Sequence, residues 1–453
     1  MTVPLHRRSA TELARALATR ELNAQALAEA LLARCHALEP RLHAWATLDT
    51  SAALRQAKAL DRALAGGAAP GLLHGLPLGV KDNIDTAGLA TAYGSSIYAG
   101  HVPQADAAVV ALARAAGAWV LGKTACTVFA NMTPCTTRNP HDAGHTPGGS
   151  SSGSCAAVAV GAVPLALGTQ TAGSVIRPAA YCGIVGYKPT PRLLPRAGAK
   201  PNSDTLDELG VFARSVEDAA LLAGALGAFG AGNAGSTGIF GSAGAAAPAH
   251  DAPPRLAVAL SSRAAALSPA MVAMVEDAAA RLSAAGAPVQ LAAWPAGFDA
   301  LFDAQRTVQV FETARALAPE HQYRRRQLPA DLRALLDAGR AMPPEIYQLA
   351  LQTTRAALAR LDELFGRAEV LLTPAAPGAA PRGLKTTGDP LFNRPWQLLG
   401  CPCITVPGGL DTAGLPLGLQ LVARPGEDQR LFAAAAWVAE VLQAGLISEM
   451  ACA

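Results

Sequence analysis

The stretch Cys155-Ala-Ala-Val-Ala-Val-Gly-Ala-Val-Pro-Leu-Ala-Leu-Gly168 is the most apolar part of the chain, and it constrains the fold more than any other. A bilayer span needs about 20 such residues, and this run is shorter and broken by Gly161 and Pro164, so it belongs in a protein core. Glycine and serine crowd both of its ends: Gly148-Gly-Ser-Ser-Ser-Gly-Ser154 precedes it and Thr169-Gln-Thr-Ala-Gly-Ser174 follows it. Alone, a Gly/Ser run is most simply a linker. A linker does not pass straight into buried sequence or meet a second glycine-flanked serine on the far side. Glycines beside a serine let the backbone approach a ligand and turn successive N–H groups toward one point, as an oxyanion site requires. With Gly79-Val-Lys-Asp82 upstream, the chain offers two serines and a lysine in glycine-rich backbone, a set suited to acyl transfer by a serine nucleophile with an amine as base.

The rest of the sequence supplies the frame. At 453 residues it can bury a large core, and the alternation of helical and strand-like segments predicts an α/β fold with one large mixed, twisted sheet flanked by helices. Ser9-Ala-Thr-Glu12 has the form of a capping box, and Asn23 to Leu38 and Ala105 to Ala116 repeat apolar residues at helical spacing. Ala118–Leu121, Arg255–Leu260, Pro288–Leu291, Glu369–Leu372, Cys403–Val406 and Leu417–Val422 read as strands, with helices over Ser268–Gly286, over Glu345–Arg367 and from about Glu427. We expect a single domain over 1–453: a part over 1–222 with an N-terminal helical layer and all the motifs, a Gly/Ala-rich loop over 223–254, and a part over 255–453 that completes the sheet and substrate pocket. A net charge of +3 without a long basic block argues against a nucleic-acid partner. Scattered cysteines and an N-terminus without a hydrophobic signal core point to a reduced, cytoplasmic protein that is not anchored to a membrane.

Three motif matches carry less than they suggest. Gly117-Ala-Trp-Val-Leu-Gly-Lys-Thr124 fits the phosphate-loop pattern, but its centre is strand-like and a helix precedes it. Gly149-Ser-Ser-Ser-Gly153 fits a nucleophile elbow centred on Ser151, yet the required strand is replaced by the loop Asn139–Pro147. His141 and His145 have the spacing of metal ligands on a helix, which Pro140, Gly144 and Pro147 forbid, so no metal is expected.

Taken together and in order, the three lysine- and serine-bearing segments resemble the amidase signature family of serine amidohydrolases. The resemblance extends from the first helices to Pro416-Leu-Gly-Leu-Gln-Leu-Val422. It implies a triad of Lys81 as base, Ser150 in a cis peptide as proton relay and Ser174 as nucleophile, with an oxyanion hole from the N–H groups of Thr171, Ala172, Gly173 and Ser174, and no cofactor. The base must give up its proton, so burial has to lower the Lys81 pKa by about three units from the usual value near 10.4. Gln170 stands where the family commonly has aspartate, and Ala172 where it commonly has glycine. Arg177, three residues after Ser174, suits capture of a substrate carboxylate, and the surrounding pattern with Thr387–Pro390 and Asn393–Trp396 is most similar to the malonamidase branch. An internal, structural role for Arg177 stays open. The implied activity is hydrolysis of a small amide, with or without a carboxylate. The alternative is the ammonia-releasing subunit of an aminoacyl-tRNA amidotransferase. Neither the acceptor nor the oligomeric state, a homodimer included, follows from the residues.

Overall fold

The computed structural model describes residues 3–229 and 252–443, and residues 230–251 of the expected Gly/Ala-rich loop lie outside them. Eleven strands form one mixed sheet: β1 (Trp45–Leu48), β2 (Pro77–Lys81), β3 (Trp119–Thr124), β4 (Leu165–Gln170), β5 (Val185–Lys188), β6 (Glu208–Ala213), β7 (Leu256–Val258), β8 (Val289–Leu291), β9 (Val370–Pro374), β10 (Cys403–Leu410) and β11 (Pro416–Val422). Their order across the sheet is β1-β3-β2-β4-β6-β5-β10-β11-β9-β7-β8. Strands from both parts of the chain therefore share one sheet, joined where β5 pairs antiparallel with β10. The parallel pairs β2–β3 and β2–β4 place the carboxyl ends of β2 and β4 on the same side of the sheet, a usual setting for a site.

The apolar run that anchors the fold becomes the helix Ser152–Ala159, a turn at Gly161, and β4, almost all of it buried. This helix is buried on every side, which is why its sequence carries no polar face. The N-terminal helices Ala10–Ala18, Ala24–Leu42 and Thr50–Ala65 cover one end of the sheet. The first opens with the expected capping box: Glu12 N donates to Ser9 Oγ at 3.0 Å, and Ser9 N donates to the Glu12 carboxylate at 2.8 Å.

Some boundaries differ from expectation. The second helix runs past Pro40 to Leu42, because a proline in its last turns removes one N–H without breaking the preceding ladder. The helix expected over 345–367 is two, Pro344–Leu358 and Leu361–Phe365, and the bend at Arg360 lets Leu361, Leu364 and Phe365 enter the core. The phosphate-loop match is β3 and the bend before it: Lys123 is buried and donates to the carbonyl of Ile84, to Thr91 Oγ1 at 2.9 Å and to Thr86 Oγ1 at 3.2 Å. No described helix is long and apolar enough to cross a membrane.

Candidate active site

Lys81 is the last residue of β2 and Thr169 the last but one of β4, so the pairing of these strands brings the two side chains together. Lys81 Nζ lies 2.7 Å from Ser150 Oγ, 2.7 Å from Thr169 Oγ1 and 3.3 Å from the Thr169 carbonyl oxygen. Those three oxygens complete a tetrahedron around the nitrogen. If the amine is neutral and gives its two N–H groups to Thr169, its lone pair faces the Ser150 hydroxyl. Asn83 Nδ2 also donates to Thr169 Oγ1, at 2.9 Å. Thr169 and Asn83 were not singled out in the sequence; the only signal for Thr169 was its place as first residue of Thr169–Ser174.

Lys81 is fully buried, and burial lowers its pKa to about 8. At neutral pH the amine is then mostly protonated, and neutral lysine becomes the major form only above about pH 8. Lys123 is lowered to about 8 for the same reason, so titration does not single out Lys81; the serine hydroxyl beside it does.

The Gly149–Ser150 peptide bond is cis. Gly148 before it has φ +82°, and a Cβ there would stand 2.7 Å from Pro178 Cα, so position 148 accepts only glycine. Ser174 sits in the turn between β4 and the helix Ile176–Tyr181. At 9% exposure it is more open than Lys81 at 0% or Ser150 at 2%, as a group that must meet substrate has to be. Among the described residues no hydrogen bond joins Ser174 to Ser150 or Lys81.

The turn Thr171–Ser174 is held from several sides. Thr171 Oγ1 donates to Asp207 Oδ1 at 2.6 Å, and Asp207 Oδ2 accepts the N–H groups of Asn202 and Ser203 at 2.7 and 2.9 Å. Burial raises the Asp207 carboxyl, against the pull of those hydrogen bonds. The Thr171 carbonyl accepts from Gln305 Nε2 at 3.1 Å. At Gly173 a Cβ would meet Asn393 Oδ1 at 2.3 Å, so a side chain there would push the turn away from its support.

The amidase family profile matches residues 26–432. The chain belongs to the amidase family. Relatives similar to this amidase include a glutamyl-tRNA(Gln) amidotransferase subunit of Picosynechococcus sp., 32% identical over 90% of this chain and 92% of that one. The same subunit of Acaryochloris marina is 33% identical over 93% and 95%. A solved amidase structure superposes with a TM-score of 0.86 at 30% identity, covering 96% of this chain and all of that one. The native peptide amidase of Stenotrophomonas maltophilia gives 0.81 at 29% identity over 97% and 98%.

In this amidase Arg177 is buried and largely committed to protein. Nε donates to the Thr387 carbonyl at 2.8 Å, and Nη2 to the Gly149 carbonyl at 2.7 Å and to Thr387 Oγ1 at 3.2 Å. Nη1 has no partner among the described residues. Burial lowers the guanidinium to about 10, while Tyr181 and Asp389 pull it up. A polar cavity of about 250 Å³ adjoins the site on the side of Asn83, Thr169 and Thr171, with Asp207 and Glu208 in its wall. Burial lifts the Glu208 carboxyl to about 7, opposed by Lys188. Ser151, centre of the elbow match, is fully buried, with Oγ 3.3 Å from the Thr169 carbonyl. The two loop histidines face different partners: His141 Nε2 lies 2.9 Å from the Cys182 carbonyl and His145 Nδ1 3.0 Å from the Asp142 carboxylate.

Proposed function

We propose that the protein hydrolyses a small amide through an acyl-enzyme on Ser174. In this reading Ser174 Oγ attacks the amide carbonyl while its proton passes to Ser150 and on to neutral Lys81. The carbonyl oxygen becomes an oxyanion facing the N–H groups of Thr171 to Ser174. The C–N bond then breaks, Lys81 returns the proton through Ser150 to the departing amine, and ammonia or an amine leaves. Water enters by the same relay and releases the carboxylic acid. The observation that carries this reading is the 2.7 Å contact of Lys81 Nζ with Ser150 Oγ, with Thr169 occupying the other amine positions.

For the substrate we propose an acid amide, as in the malonamidase branch, because Arg177 Nη1 is the one buried donor of this guanidinium without a protein partner among the described residues. Ammonia release from malonamate, glutamine, indoleacetamide and simple aliphatic amides tests it. A preference for malonamate that Arg177→Ala abolishes by raising KM supports the assignment, and equal loss on neutral amides refutes it.

The second reading, one component of an amidotransferase, is supported by the relatives of that name at about a third identity. Strong glutaminase activity that rises when a tRNA-binding subunit co-purifies would favour it.

A further inference from the structure

The turn that carries Ser174 is also held by a chain of side-chain amides. Gln170 ends β4 and is 1% exposed. Its Oε1 accepts the N–H groups of Val175 at 2.8 Å and Ile176 at 3.1 Å, the two residues directly after Ser174. Its Nε2 donates to Gln397 Oε1 at 2.8 Å, and Gln397 Nε2 donates to the Leu206 carbonyl. Gln397 is buried on the short helix Arg394–Leu398, and Leu206 lies just before β6. Three segments distant in sequence thus meet at the nucleophile turn.

Each link has one orientation. Two N–H groups face the Gln170 oxygen, so its nitrogen must face Gln397. Gln397 must then present oxygen to Gln170 and nitrogen to Leu206, whose carbonyl can only accept. A carboxylate at position 170 would set oxygen against the Gln397 oxygen. Turning the Gln397 amide over would move that conflict to the Leu206 carbonyl. A neutral carboxylic acid would fit, because its hydroxyl can donate where the amide nitrogen does.

We infer that Gln170 and Gln397 act as a coupled positioning pair for Ser174, and that turnover requires position 170 to be uncharged. This rests on Ser174 being the nucleophile.

The test is Gln170→Glu, which keeps side-chain length and makes the charge titratable. Around that position stand Glu208, opposite Gln170 in register on β6, Asp207 beside it, Lys188 on β5, Lys81 on β2, Arg394 at the start of the Gln397 helix, and Arg177. All of these are common to both proteins, so the ratio of variant to wild-type kcat isolates the introduced carboxyl. The ratio should be near one at about pH 6 and fall about tenfold or more as the buried carboxyl ionises toward about pH 9, with KM little changed. Gln397→Glu should fall in the same direction, because its ionised form accepts from Gln170 but has nothing to give Leu206. A ratio independent of pH in the variant that folds overturns the pair. Ser174→Ala, measured in parallel, separates the causes. If it is inactive while the ratios are flat, only the positioning pair fails; if it retains turnover, the nucleophile assignment fails and the pair with it.

Discussion

The lysine at the end of β2 is where sequence and physical chemistry meet most closely. The run Gly79-Val-Lys-Asp82 identifies Lys81 as a candidate base by resemblance, but its surroundings are a tertiary product. Asn83 and Thr169 are 86 residues apart, and nothing local in either segment announces that their hydrogen bond completes the setting of the amine. Burial lowers Lys81 to about 8, so kcat/KM should rise with pH through about 8 and level off above it. A pH–rate profile flat from about 6 to 9 would remove Lys81 from the role of base. Thr169→Val deletes the hydroxyl that receives one amine N–H. It should lower kcat by about tenfold or more with a smaller change in KM, measured by steady-state ammonia release. Arg177 shows the limit of motif reading: its position suited carboxylate capture, yet Nε and Nη2 hold Thr387 and the Gly149 carbonyl, partners that lie at the other end of the chain or in another loop.

At the scale of elements, period and punctuation were legible where they act locally. The Ser9–Glu12 box opens a helix, and the apolar run from Cys155 becomes a buried helix and a central strand. What the pattern did not carry was the set of helices between 300 and 341, including Ala300–Ala316, which brings Gln305 onto the Thr171 carbonyl. That helix has no side-chain cap at its start and only a weak apolar stripe, because it packs among other helices on several faces. Asp207, ahead of β6, braces the proposed oxyanion turn from the opposite side. Asp207→Asn leaves one of three donors without an acceptor and should lower kcat more than it raises KM. Retained kcat would mean that the turn keeps its shape without this brace. Gly173→Ala should be more severe, since the added methyl meets Asn393 Oδ1 and displaces N–H groups each worth on the order of 3 to 4 kcal/mol in the transition state.

The whole molecule is one sheet whose two halves come from the two parts of the chain, and the site sits where the first half is covered by segments of the second. Such long-range assembly is why the fold class could be read from alternation while the strand order could not: β5 beside β10 is a pairing across more than two hundred residues. Keeping a lysine buried there has a cost that depends on pH. Below about pH 8 both folded and unfolded chains carry the Lys81 proton, and the fold bears the full penalty, about 3 kcal/mol. Between about 8 and 10.5 the unfolded state holds more protons than the folded one, so this penalty disappears as pH rises. Lys81→Met should therefore gain stability over wild type most below about pH 8, with the gain shrinking toward pH 10.5, read from urea unfolding at each pH. A pH-independent difference would show that the lysine is not held against its charge. The central claim, a covalent intermediate on Ser174, is tested most directly by quenching the enzyme in acid during turnover of a reactive amide or ester and mapping the acylated peptide by mass spectrometry. The account predicts the added acyl mass on Ser174 and its loss in Ser174→Ala; an adduct on Ser150 or Ser151, or full turnover by Ser174→Ala, would contradict it.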